Sequence, residues 1–145
     1  MPLDAEWLGQ VARSETDKPH EWPYVMWVVR NRVETKRFPN TYPGVICQPL
    51  QFSYYNQYQH AEDEDAMYAE ASLGYAGKDH DAVVGCAHHV LGLPRYHAPF
   101  SDKVYYFWSP ISMSPPGRDP SWAKKLRVFE VSGVDPWRFK FAEEE

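Results

Sequence analysis

The stretch LDAEWLGQVARSETDKPHEWPYVMWVVRNRVETKRF, Leu3–Phe38, decides how this chain is read. Trp7, Leu8, Val11 and Ala12 fall at i, i+1, i+4 and i+5, which draws one apolar stripe down a helix of roughly ten residues that stops at Ser14. A second helix is predicted to begin near Glu21, where Pro23 suits a first turn because its missing N–H costs nothing there. Val25, Met26, Val28, Val29 and Val33 supply its buried face. Between the two, Thr16-Asp17-Lys18-Pro19-His20 is a polar loop carrying a helix-breaking proline. Glu15 therefore stands where a core helix hands over to a loop. A carboxylic acid there can be partly desolvated and still reach a cleft, the setting in which it keeps its proton near neutral pH and acts as a general acid. The competing reading is an ordinary solvated acid at a helix end. Asn31 bears on the choice: among Val28, Val29 and Val33 an amide needs partners, and one buried there would brace the loop that carries Glu15, whereas beside Arg30 and Arg32 it is a plain surface residue.

Working outward, the 145 residues suit one domain, residues 1–145, with a single core. Hydrophobic residues make up 43% and aromatic residues 16%, enough to fill a core and leave rings to line a groove. The formal charge is −5 and only Lys124, Lys125 and Arg127 are tightly grouped among the basic residues, which argues against nucleic acid as a partner. No apolar run approaches a membrane span, so no membrane insertion is expected. The N-terminal Met-Pro-Leu-Asp-Ala-Glu-Trp lacks the basic and apolar regions of a signal peptide, and the expectation is synthesis in the cytoplasm without a leader. Cys47 and Cys86 read as free, buried thiols, with pairing as the alternative.

Phe38 to Pro49 is dense in prolines and turn formers, a fixed-shape loop with one helical turn around Gly44 to Gln48. Gln51-Phe52-Ser53-Tyr54-Tyr55-Asn56-Gln57-Tyr58-Gln59 then alternates amides, hydroxyls and rings with almost no charge. Such a surface suits sugar, because amides bond hydroxyls while rings stack on pyranose faces; the alternative puts Phe52 and some tyrosines in the core. Helices follow over Asp65 to Leu73, with Met67 and Ala71 packed and Gly74 and Gly77 as punctuation, and over Asp79 to Leu91, with Ala82, Val83, Cys86, Ala87, Val90 and Leu91 on one face. Strand composition marks Val104–Trp108, Arg127–Val131 and Arg138–Phe141, and the loop before the second strand ends in a helix start that offers Trp122. Helices first and a short antiparallel sheet after them make the class α+β. Of Trp22, Trp27 and Trp137, most read as core.

The assembled residues resemble the SleB-type cell wall hydrolase family, the peptidoglycan-cleaving domain of spore-cortex-lytic enzymes and of many bacterial and phage proteins. The resemblance rests on Ala12-Arg13-Ser14-Glu15, on Val28 to Arg32, on Phe38-Pro39-Asn40-Thr41, on Val45-Ile46, on Gln51-Phe52-Ser53 and on Pro120-Ser121-Trp122 before an aromatic terminal strand. No one of these motifs decides, but their order and spacing are fairly specific. The resemblance implies a lysozyme-like fold in which one glutamate does the acid–base work, and that glutamate falls on Glu15. It places Asn31 and Gln51-Phe52-Ser53 at positions that shape the core and cleft; Tyr54, Tyr106 and Trp122 complete the candidate sugar-binding set. Many members follow the acid with a Gly-Glu pair in a longer loop, whereas Lys18-Pro19 stands here and the loop is shorter by about one or two residues.

The implied substrate is the peptidoglycan glycan strand, cut by a monomer that needs no cofactor and no metal. A lytic transglycosylase requires one acid, and a hydrolase requires a second, for which Asp17 and Glu21 are nearest although neither sits on a clearly buried face. A zinc amidase or peptidase is a rival based on His80, His88, His89 and His97, but adjacent His88 and His89 point about 100° apart on a helix and no His-Glu-x-x-His appears. A glycan-binding or phage structural module that has lost the activity is a third reading, favoured by the altered loop. A leaderless wall-active chain would fit a phage or prophage lysis or virion protein.

Overall fold

The computed structural model describes residues 1–74 and 79–144. Its first helix, α1, runs Asp4–Glu15 and is opened by Glu6, whose carboxylate accepts the Leu3 N–H at 3.0 Å. A tight turn over Pro19–Glu21 leads into α2, Trp22–Glu34, with a proline in its first turn as expected. The remaining helices are α3 (Tyr42–Ile46), α4 (Glu64–Leu73) and α5 (His80–Gly92). By their internal contacts the residues divide into two compact units, Met1–Pro94 and Arg95–Glu145.

In the first unit α1 packs against α5, α2 and α3. Trp7, Leu8, Val11 and Ala12 are buried with Val25, Met26, Val28 and Val29, so the two apolar stripes meet in one core; Val33 is only half-buried. Gly9 permits the approach of α5, because a Cβ on it would lie 3.2 Å from the Val84 side chain and 3.3 Å from the Val84 backbone nitrogen. Of the face expected on α5, Val83, Ala87 and Val90 are buried, Cys86 and Leu91 are half-buried and Ala82 is exposed. Arg30 closes that helix: its guanidinium donates to the carbonyls of Val90 at 2.9 Å and of the C-cap residue Leu93 at 2.7 Å. The single turn expected at Gly44 to Gln48 begins earlier, as α3, with the Thr41 hydroxyl accepting the Gly44 N–H. Gly77 lies outside the described residues, and Cys47 and Cys86 are free thiols.

The core also holds an amide that periodicity does not announce. Gln10, on α1, donates to the Tyr68 carbonyl at 3.1 Å and the Ser72 hydroxyl at 2.9 Å and accepts from the Tyr55 hydroxyl at 2.9 Å. It thereby joins α1 to α4 and to the turn Ser53–Tyr58.

The second unit is a three-stranded antiparallel sheet of order β1-β3-β2, where β1 is Val104–Trp108, β2 Arg127–Phe129 and β3 Lys140–Glu143. Relative to expectation β2 is shorter and β3 begins two residues later, because the Arg138 and Phe139 amides bond back to the Asp135 carbonyl in a turn. Register pairs Phe107 and Phe129 with Phe141, so aromatic rings line up across the strands. Trp108, Ala123 and Ala142 form a small core beneath Tyr106, Met113, Leu126 and Val128. Helices followed by a small antiparallel sheet make the chain α+β, as its sequence implied.

Candidate active site

Glu15 is the last residue of α1, so its backbone is fixed by the helix while its side chain leaves the helix end. It is half-buried, and among the described residues its carboxylate has no hydrogen bond or ion pair. Desolvation by burial alone raises its pKa from 4.5 to about 7. The helix C-terminus gathers partial negative charge, which acts in the same direction. At neutral pH such a carboxyl is close to half protonated and can both give and take a proton.

The turn that follows is held by a second carboxylate. Glu21 is 1% exposed, a correction to its placement off any buried face, and it accepts the Thr16 hydroxyl at 2.5 Å. Thr16 in turn accepts the Lys18 N–H on its hydroxyl at 3.1 Å and the Trp22 indole N–H on its carbonyl at 2.8 Å. Residues 16–22 are thus stitched to one another, and the residue after Glu15 is the knot. The loop read as simply polar is therefore partly buried and internally bonded, while Asp17, the other candidate second acid, is exposed.

The remaining candidates divide between core and surface. Asn31 is 1% exposed, so the surface reading of this residue does not hold. Neighbouring Arg32 is also buried; it donates to Gln51 Oε1 at 2.9 Å and lies over the rings of Phe38 at 4.9 Å and Phe52 at 5.2 Å. Phe52 and Tyr55 take the core alternative, and Phe52 is not available for stacking on sugar. Gln51 and Ser53 are exposed, and half-buried Tyr54 donates its hydroxyl to the Ala71 carbonyl at 2.6 Å. In the second unit, Trp122 is 47% exposed with its ring centroid 5.4 Å from that of Tyr106 and 5.5 Å from that of Trp108. Tyr106 is half-buried.

Among the described residues no three His, Cys, Asp or Glu side chains come together as a metal-binding group, and His88 and His89 are both exposed on α5. Sequence reasoning missed the burial of Arg32 and Glu21 and the role of Gln10. The one available signal for Glu21 was the Thr16 hydroxyl five residues before it, at the other end of a proline-bearing turn.

A helical unit with a half-buried acid of raised pKa at a helix end, followed by a small aromatic antiparallel sheet unit, makes this an α+β protein. A sequence model of the Cell Wall Hydrolase family matches residues 22–132, most of the length, and the chain belongs to that family. It is accordingly a peptidoglycan hydrolase that acts on the cell wall. The match begins at Trp22, so it covers Asn31, Gln51 to Tyr54, Tyr106 and Trp122 but not Glu15 or Glu21. No curated protein and no solved structure matches the chain at a significant level. Among the described residues no helix is long and apolar enough to cross a membrane.

Proposed function

We propose that this chain cleaves the glycan strand of peptidoglycan between N-acetylmuramic acid and N-acetylglucosamine as a lytic transglycosylase, with Glu15 as its one acid and base. The observation that carries this reading is the setting of the Glu15 carboxyl: half-buried, without a partner among the described residues, and raised to about 7 by desolvation. Protonated Glu15 gives its proton to the glycosidic oxygen as the C1–O bond breaks and the muramic acid ring takes on oxocarbenium character. The Glu15 carboxylate so formed removes the proton of the C6 hydroxyl, whose oxygen closes on C1 to give the 1,6-anhydro product. The proton lost in the first step is regained in the second, and no water enters.

A hydrolase would need a second carboxylate beside the scissile bond. The buried Glu21 is committed to Thr16, which supports the one-acid scheme. In the first unit exposed Gln51 and Ser53 offer amide and hydroxyl groups suited to sugar, and in the second unit the Tyr106 and Trp122 rings offer aromatic surface suited to it.

Mass spectrometry of soluble products from purified peptidoglycan tests the scheme. Anhydromuropeptides from the wild type and none from Glu15→Gln are expected. Reducing-end muropeptides would replace the transglycosylase by a hydrolase, freed peptides would point to an amidase, and no products at all would leave a glycan-binding module.

A further inference from the structure

Of the three tryptophans Trp22, Trp27 and Trp137, the first two are buried, as expected for most of them, and Trp137 is 54% exposed. Its exposure is not that of a loose side chain. The Trp137 N–H donates to Asp135 Oδ1 at 2.9 Å, its carbonyl accepts the Ile111 N–H at 2.9 Å, and its ring lies against Gly117. Gly117 has φ +88°, and a Cβ there would come within 3.3 Å of the indole, so glycine both permits the turn and leaves room for the ring. The Gly117 N–H is anchored on the Pro110 carbonyl at 2.8 Å.

An exposed indole offers a flat apolar face with a polar edge, the surface on which a ligand's apolar face can stack. Here it walls a cavity of about 160 Å³ lined by Pro110, Gly117, Glu130, Pro136, Trp137 and Lys140. Glu130 follows the last residue of β2 and Lys140 opens β3, and both line the cavity. Lys140 is held 3.6 Å from Asp119. One acid and one amine beside a ring and two prolines suit a neutral ligand with hydroxyl and amide groups and an apolar face, not an anion or a cation. The volume is below the ~300–1,000 Å³ of pockets that enclose a whole ligand, so it takes one edge or substituent of a larger molecule.

We propose that this cavity is a saccharide-binding subsite for one N-acetylhexosamine of a glycan strand, with the sugar face on Trp137 and its polar groups on Glu130 and Lys140. This deepens the reading of the chain as a glycan-strand-cleaving enzyme and rests on it. Neither Trp122 nor Glu15 lines the cavity, and none of the motifs that carry the family resemblance falls on its lining.

The test follows the indole N–H resonances of the full chain carrying Glu15→Gln, so that the probe is not consumed, during titration with tri-N-acetylchitotriose. The sequence has six tryptophans, and the resonance lost in Trp137→Phe identifies the one at issue. It should shift saturably, and Trp137→Ala and Lys140→Met should each weaken the binding read at neighbouring backbone amides, the former about fivefold. An unmoved Trp137 resonance overturns the proposal, as does a shift produced by a D-alanyl-D-alanine stem peptide and not by the sugar. Product release by the wild type is measured in parallel. Products with an unmoved Trp137 overturn the subsite alone, and a shifted Trp137 without products overturns the cleavage reading alone.

Discussion

The helical unit and the sheet unit place their unusual residues in opposite ways. In the first, polar side chains go inward: Gln10, Thr16, Glu21, Asn31 and Arg32 are all buried, and four of them have bonding partners identified above. In the second, rings go outward: Trp122 and Trp137 are both about half exposed over a sheet whose own core is also aromatic. Buried polar groups are tolerated only when bonded, and they then fix one geometry. Exposed rings fix nothing in the fold but offer contact area to a ligand. The contrast fits the proposed reading, with chemistry in the helical unit and sugar contact in the sheet unit, and each of the following experiments presses on one side of it.

The largest effect is expected at Glu15. Glu15→Gln should lower glycan cleavage by about a thousandfold, the scale of a lost general acid, with the circular dichroism of the fold retained. In the wild type the protonated form acts first, so cleavage should fall as pH rises through about 7. A pH–rate profile flat from 6 to 9 would break the assignment.

Next comes the turn. Thr16→Val leaves the buried Glu21 carboxylate without that donor and should cost about 2 kcal/mol of stability in urea unfolding. Glu21→Gln keeps an oxygen for Thr16 and should hold cleavage within about tenfold of wild type, where a loss of a hundredfold or more would make Glu21 a second acid after all.

A smaller effect couples chemistry to folding. Because the folded pKa of Glu15 lies above its ordinary 4.5, the stability associated with its proton is fully present below about 4.5 and is lost as pH rises through about 7. Glu15→Gln should therefore match the wild type at pH 4 and exceed it by about 2 kcal/mol at pH 8, a figure discounted for the solvent that reaches the side chain. Equal stability at both pH values would mean that the carboxyl is not desolvated. The smallest effect is at Trp122→Ala, which should weaken retention on insoluble peptidoglycan about fivefold in a pull-down without altering unfolding.

The contrast also explains what the sequence made legible. The two apolar stripes of α1 and α2 were readable because core burial in a helix repeats with the helix period, and Glu15 was readable because it stands where one stripe ends. Glu21 was not, because its burial depends on a contact closed by a turn, and no period reports a turn's own hydrogen bonds. The tyrosine-rich run after Gln51 allowed a groove or a core, and Arg32 decided for Phe52 by coming inward from a helix whose period alone left it among surface residues. Which of Trp22, Trp27 and Trp137 stays outside the core was not legible, because aromatic residues are usually buried and the place of Trp137 against Gly117 depends on a turn. The start of β3 was misplaced because Arg138 and Phe139 have strand composition but bond back into a turn at Asp135.

The crossing of α1 and α5 at Gly9 bears on how this enzyme can diverge. A Cβ at Gly9 would stand 3.2 Å from the Val84 side chain and 3.3 Å from its backbone nitrogen, so a larger residue there requires α5 to give by a few tenths of an ångström. Change in the helix that carries Glu15 is thus tied to its packing on α5, whereas residues 16–21 are joined by hydrogen bonds that can be exchanged one at a time.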